Sequence, residues 1–106
     1  KGGRVELIPD RSELLQNYPN PFNPDTWIPF RLAEAGRVVI KIYDVRGRLV
    51  RELDLGWREA GSYTMRSRAA YWDGRNELGE RVASGVYFYQ MRVGDKVFMR
   101  KMIISK

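Results

Sequence analysis

Along this chain apolar and polar residues alternate in short runs broken by glycine, asparagine and aspartate, which is the period-two signature of strands. Ile28, Phe30 and Leu32 alternate with Trp27, Pro29 and Arg31, predicting a strand near Thr26–Ala33. Pro29 has no N–H to give a ladder and demotes that strand towards an edge or a bulge. Between Arg37 and Asp44, Val38, Ile40 and Ile42 share one phase. Asp44-Val45-Arg46-Gly47 then predicts a hairpin turn, with Gly47 supplying the positive φ. Arg48–Leu53 reads as a short return strand, and Gly56 to Gly61 as a loop holding Trp57. In Ser62–Ala70, Tyr63, Met65, Ser67 and Ala69 alternate with Thr64, Arg66 and Arg68, which predicts a strand with a basic outer face. Residues 71–80, with Asp73-Gly74 and Gly79, form a turn region. Gly85–Val93 is apolar on both phases, as a central strand covered on each side would be. After the tight turn Gly94-Asp95, Lys96–Ser105 is the last strand.

The prolines divide the chain differently. All five lie between Pro9 and Pro29. An extended edge segment through Leu15 is expected, then a rigid looped stretch to Asp25, because each X-Pro pair disfavours helix and Asn-Pro favours turns. Tyr18 and Phe22 argue that this stretch packs on the body, since rings in a free linker have nothing to bury against. Counting strands and turns gives an all-β fold: an immunoglobulin-like antiparallel β-sandwich of about seven strands. Its expected core includes Ile28, Phe30, Ile40, Ile42, Leu53, Tyr87 and Tyr89.

The chain's 106 residues suit one domain. Cysteine and histidine are both absent, which removes disulfides, thiolate sites, the usual zinc sites and Ser-His-Asp or Cys-His catalysis. No catalytic, cofactor or metal residue is assigned, and a non-enzymatic domain is expected. Net charge is +6, and arginine supplies 14 of the 19 basic residues. The arginines are scattered, so they read as a solvated surface rather than a nucleic-acid footprint. No apolar run is long enough to span a membrane. The chain opens Lys1-Gly2-Gly3 with neither an initiator methionine nor a signal-peptide pattern, as an excised piece of a longer protein would.

Three constellations offer chemistry. Asp73, Asn76, Glu77 and Glu80 supply oxygens in a glycine-containing loop, but not at the offsets of an EF-hand; a turn in which Asp73 bonds its own backbone accounts for them. Carboxylate pairs suited to glycosidic cleavage arise by chance in any chain with 13 acids. Trp27, Trp57 and Trp72 offer a stacking platform for sugars or bases, with Trp57 foremost, against the simpler role of filling a core. The ending Arg100-Lys101-Met102-Ile103-Ile104-Ser105-Lys106 is accounted for as an edge strand with charged gatekeepers.

Five motifs, in order, carry a resemblance. Leu15-Gln16-Asn17-Tyr18-Pro19-Asn20-Pro21-Phe22-Asn23-Pro24-Asp25-Thr26 resembles the opening signature of C-terminal sorting domains of the type IX secretion system, and of the similar immunoglobulin-like module related to flagellar hook-capping proteins. The hairpin Ile42–Val50, the turn Trp72-Asp73-Gly74-Arg75-Asn76-Glu77-Leu78-Gly79, the strand Val82-Ala83-Ser84-Gly85-Val86-Tyr87-Phe88-Tyr89 and the ending from Arg100 to Lys106 resemble the motifs that follow it. The resemblance spans residues 14–106. Residues 1–13 fall outside it, as a linker or the tail of an upstream domain.

The resemblance implies a non-catalytic address domain without cofactor. Its partners would be an outer-membrane translocon, a sortase-like peptidase and an upstream cargo domain. The destination would be the medium or the cell surface, by way of the periplasm and outer membrane. Recognition is expected at Gly85, Val86, Tyr87, Arg100, Lys101, Met102, Ile103, Ile104 and Lys106, through backbone groups of a terminal edge strand with Lys101 and Lys106 supplying charge. Asn17, Pro19, Asn20, Pro21, Phe22, Asn23, Pro24, Trp72, Asp73 and Gly74 would be structural. The proline-rich segment would act as a stiff spacer towards the cargo. The rival is a structural or adhesive module, contacting glycan through Trp57 or assembling as hook-capping modules do.

Overall fold

The computed structural model describes residues 7–105. In chain order its strands are β1 (Glu13–Leu14), β2 (Thr26–Ile28), β3 (Phe30–Leu32), β4 (Gly36–Tyr43), β5 (Leu49–Arg58), β6 (Gly61–Tyr63), β7 (Ala70–Trp72), β8 (Gly85–Val93) and β9 (Lys96–Ile104). One layer is a four-stranded sheet in the order β5-β4-β8-β9. The other is built of two short sheets, β1-β3-β6 and β2-β7. All named pairs are antiparallel. The result is an all-β immunoglobulin-like sandwich of nine strands among the described residues rather than about seven: β6 and β7 stand at the two ends of one expected strand, and β2 and β3 divide another.

That division falls at Pro29. Ile28 pairs with Ala70 while Phe30 pairs with Tyr63, so the strand changes partners at the residue that has no N–H. Pro29 still contributes its carbonyl, which accepts from Leu15 N–H at 3.0 Å.

Two further expectations are corrected. Residues 56–61 are not a loop around Trp57: β5 runs on to Arg58, with Trp57 opposite Arg37 and 64% exposed. The register shifts between Val38 and Val39, so the ladder absorbs an extra residue beside Gly56 (φ 72°) as a bulge instead of ending there. Nor is Ser62–Ala70 one strand. It stops at Tyr63, and Met65 to Ala69 turn back, with Arg68 and Ala69 N–H both donating to Met65 O. The alternating phase offered mainly Ser67, Ala69 and an exposed Met65, too little apolar area to hold a strand down.

The core runs between the layers. Ile28, Phe30, Leu32 and Tyr63 meet Val38, Ile40, Ile42, Tyr89 and Met91, all buried. Phe30 stacks on Tyr63 with ring centroids 4.9 Å apart. Leu53 is half-buried rather than central, because β5 is an edge strand whose inward side chains are covered only in part. The expected hairpin turn is present: Gly47 has φ 78°, and Asp44 accepts from the N–H groups of Arg46 and Arg48. Those bonds, Arg48's backbone foremost, hold the Asp44 carboxyl below its usual pKa. Among the described residues no buried side-chain nitrogen or oxygen lacks a partner.

Candidate functional site

The proline-rich segment does not stand off as a spacer. It lies against the last strand and runs parallel to it. Arg100 Nε donates to Leu14 O at 2.7 Å, and Gln16 Nε2 donates to Lys101 O at 2.9 Å. Ile103 N–H donates to Asn20 Oδ1 at 2.9 Å and Phe22 N–H to Ile103 O at 3.0 Å, while Ser105 N–H donates to Phe22 O at 3.1 Å. The turns within the segment are fixed by Asn17, which is 2% exposed: its Nδ2 donates to Pro19 O and Thr26 Oγ1. The peptide bonds before Pro19, Pro21 and Pro24 are cis.

Tyr89 fastens this segment from below. Its hydroxyl donates to Leu15 O at 2.7 Å and accepts from Asn17 N–H at 2.9 Å. Burial pushes the phenol up to about 12, partly eased by the Asn17 N–H and the nearby Arg100 charge. Phe22, 2% exposed, meets Trp72 edge-on at 5.5 Å, and Trp72 meets Tyr87 at 6.2 Å. Burying a phenylalanine ring contributes about 2–3 kcal/mol, so the segment is held by its own hydrophobic anchor. Gly74 completes the joint. It has φ 76°, and a Cβ there would lie 2.3 Å from Pro24 O, so only glycine lets the Trp72–Gly74 turn approach the segment. Structural residues about 50 positions apart in the sequence, Asn17–Pro24 and Trp72–Gly74, therefore form one joint.

The expected recognition residues divide. Tyr87, Met102 and Ile104 are buried in the core, and Gly85 and Val86 are half-buried. Arg100 and Lys101 are exposed, and Ile103 is 37% exposed. Lys106 lies outside the described residues. The edge itself is half sealed, which corrects the expectation of a free terminal edge. In the β8–β9 ladder Val93 and Lys96 flank a two-residue turn, and pairs alternate from there. Val97, Met99, Lys101 and Ile103 thus point their backbone groups away from β8. At Ile103 both groups, and at Lys101 the carbonyl, are taken by the proline-rich segment. The groups of Val97 and Met99 and the N–H of Lys101 have no partner among the described residues. The opposite edge is also blunted: Glu52 N–H on β5 donates to Glu77 Oε2 at 2.7 Å.

Beside Met99 and Lys101 the outer face of the sheet carries a partly apolar hollow, while Arg92 lies across from Val97. Tyr43, Val45, Phe88 and Met99, with Asp44, Gly47 and Gln90, line an open hollow of about 360 Å³. Val97 and Met99 are 46% and 55% exposed. Gln16, Val97 and Met99 were not singled out from the sequence, although the ladder's alternation, counted from Gly94-Asp95, marks which residues face outward.

The other candidate groups are placed as follows. Asp73 Oδ1 accepts from Arg75 N–H and from Arg51, Asn76 Oδ1 from the N–H groups of Leu78 and Glu80, and Glu77 from Glu52 N–H. These oxygens hold the turn together, and among the described residues no three acids, cysteines or histidines converge on a metal position. The tryptophans do not form one platform. Trp72 is fully buried, and Trp27 packs with Tyr18 and Tyr71 beneath Arg66, 4.2 Å above its ring. Trp57 stands apart on β5, its Nε1 donating to Glu59. No described helix is long and apolar enough to cross a membrane.

Residues 26–96 match the FlgD Ig-like domain family. Two solved structures are similar to the chain. In dimeric latent PorU from Porphyromonas gingivalis the match is 25% identical with a TM-score of 0.67, covering 92% of this chain and 10% of that one. PorZ of the same organism, described as an essential bacterial surface component of the type-IX secretion system, is 27% identical with a TM-score of 0.56, over 86% of this chain and 11% of PorZ. The chain thus spans about a tenth of either protein. No curated protein matches it.

Proposed function

The chain belongs to the FlgD Ig-like domain family, and from that premise we propose that it is a non-catalytic sorting domain, directing an attached cargo across the outer membrane through the type IX secretion system. The observation that carries this reading is the similarity to a domain-sized part of PorZ, itself described as a surface component of that system. The five ordered motifs between Leu15 and Ser105 support it, since the fold gathers the first and last of them into one hydrogen-bonded locus. The translocon would read this locus, and a sortase-like peptidase would act on the exported protein. The product would reach the medium or the cell surface.

The mechanism is one of shape. A clamp between residues 14–22 and β9 exists only in the folded domain, so a receptor that grips it reads folding and address together. A reporter fused ahead of residues 7–106 and given an export signal, in a bacterium with the type IX machinery, should reach the surface or medium. The host's own sorting domain serves as positive control. A folded fusion that stays in the periplasm while that control is exported overturns the sorting role. A second reading then stands: a built-in structural module of a surface protein. It is favoured by the small share of PorU and PorZ that the chain spans, and by the exposed Trp57 as an adhesive contact.

A further inference from the structure

We propose that the open half of β9, from Lys96 to Lys101, is a docking edge for an extended, acid-flanked segment of another protein, which adds as a short antiparallel strand and stops at Lys101. This rests on the reading above in taking β9 as the recognition strand, and it moves the footprint away from the terminal residues to the stretch before them.

The first ground is hydrogen bonding. Val97 and Met99 each present an outward N–H and C=O, and Lys101 presents an N–H, with no partner among the described residues. An added strand satisfies such a row by backbone bonds alone. Beyond it the edge is closed: Gln16 occupies Lys101 O, Asn20 and Phe22 occupy Ile103, and Phe22 O holds Ser105 N–H. The clamp therefore acts as a stop that fixes how far a partner strand pairs, and so its register.

The second ground is charge. Lys96, Arg100 and Lys101 lie along this stretch, Arg92 pairs across from Val97, and Asp95 in the turn is their acidic neighbour. A second copy of the chain would bring the same cations against themselves, on a molecule already at +6. A segment with acids at its ends complements them. Its middle is set by Val97 and Met99, whose exposed side chains face the partner residues projecting to the outer side of the sheet.

The probe is a blocked peptide, Glu-Thr-Val-Thr-Val-Thr-Glu, titrated into the isotope-labelled 106-residue chain. Amide shifts should centre on Val97, Met99 and Lys101 and leave Ile103 and Ser105 unmoved. The same peptide with alternate backbone nitrogens methylated should lose binding while the protein is untouched. A lysine-ended peptide should bind about tenfold more weakly, and Lys96→Glu with Lys101→Glu should reverse that order. Met99→Pro removes an outward N–H that β8 does not use, so it should abolish binding with the fold retained. The proposal is overturned by absence of binding, by shifts elsewhere, by equal binding of the methylated peptide, or by a dimer formed through this edge. Export of a Met99→Pro fusion at the unmodified level also overturns it and leaves the sorting role standing. Failure of the unmodified fusion to be exported, with peptide docking intact, removes the sorting role and keeps the edge.

Discussion

The phenol of Tyr89 joins parts of the chain 72 and 74 residues away, through Asn17 N–H and Leu15 O. A single oxygen satisfies a buried donor and a buried acceptor of the proline-rich segment. Tyr89→Phe keeps the ring and leaves both backbone groups unpaired, which should destabilise the domain by about 1–3 kcal/mol. The same residue sets an alkaline limit. Its folded pKa is raised from 10.0 to about 12, so the fold favours the neutral phenol. Above pH 10 the unfolded chain loses the proton first, and stability falls until the folded phenol ionises near pH 12. Denaturant midpoints measured across that window should drop more steeply for the native sequence than for Tyr89→Phe, which lacks the titrating group. Gly74 is the other residue on which the clamp turns, since a methyl group there would meet the carbonyl of Pro24.

At the scale of elements, β9 has two halves with different partners. Ile103 and Ser105 amides are bonded outward to the proline-rich segment, whereas those of Val97, Met99 and Lys101 face solvent. Native-state hydrogen exchange should show the first pair protected and the other three fast. Asn20→Ala should bring Ile103 into the range of Met99, and unchanged protection there would mean that Asn20 is not its acceptor. The elements legible in the sequence were those with a large, regular buried phase. Gly85–Val93 matches β8 residue for residue, and the Val38, Ile40 and Ile42 phase places β4. Reading failed where backbone bonding decided. A glycine that looked like the end of a strand became a bulge in β5, and clean alternation after Ser62 lacked bulky inward side chains to hold it. Tyr18 and Phe22 announced that the segment packs. That it packs on β9 was hidden, because a contact between residues about 85 positions apart, such as Gln16 with Lys101, leaves no local periodicity.

Taken whole, the domain is a sandwich whose first and last segments are bound to one another. The locus proposed for recognition is therefore a property of the complete fold and not of any one motif. Its charged half was visible in the ending Arg100-Lys101, while its open half at Val97 and Met99 needed the ladder's alternation to be seen. The direction of the clamp has a mechanical consequence. Residues 14–22 run parallel to residues 100–105, so tension applied at residue 7 and residue 105 draws the two segments past each other along their length. Bonds loaded in that way share the force and give way together. Tension applied at residues 7 and 95 instead peels them apart in succession. In single-molecule pulling the first attachment should therefore need the higher unfolding force, so that a cargo tugging against a hold on the last residues of β9 loads all of these bonds at once, whereas a hold on its Lys96–Lys101 half loads them one after another.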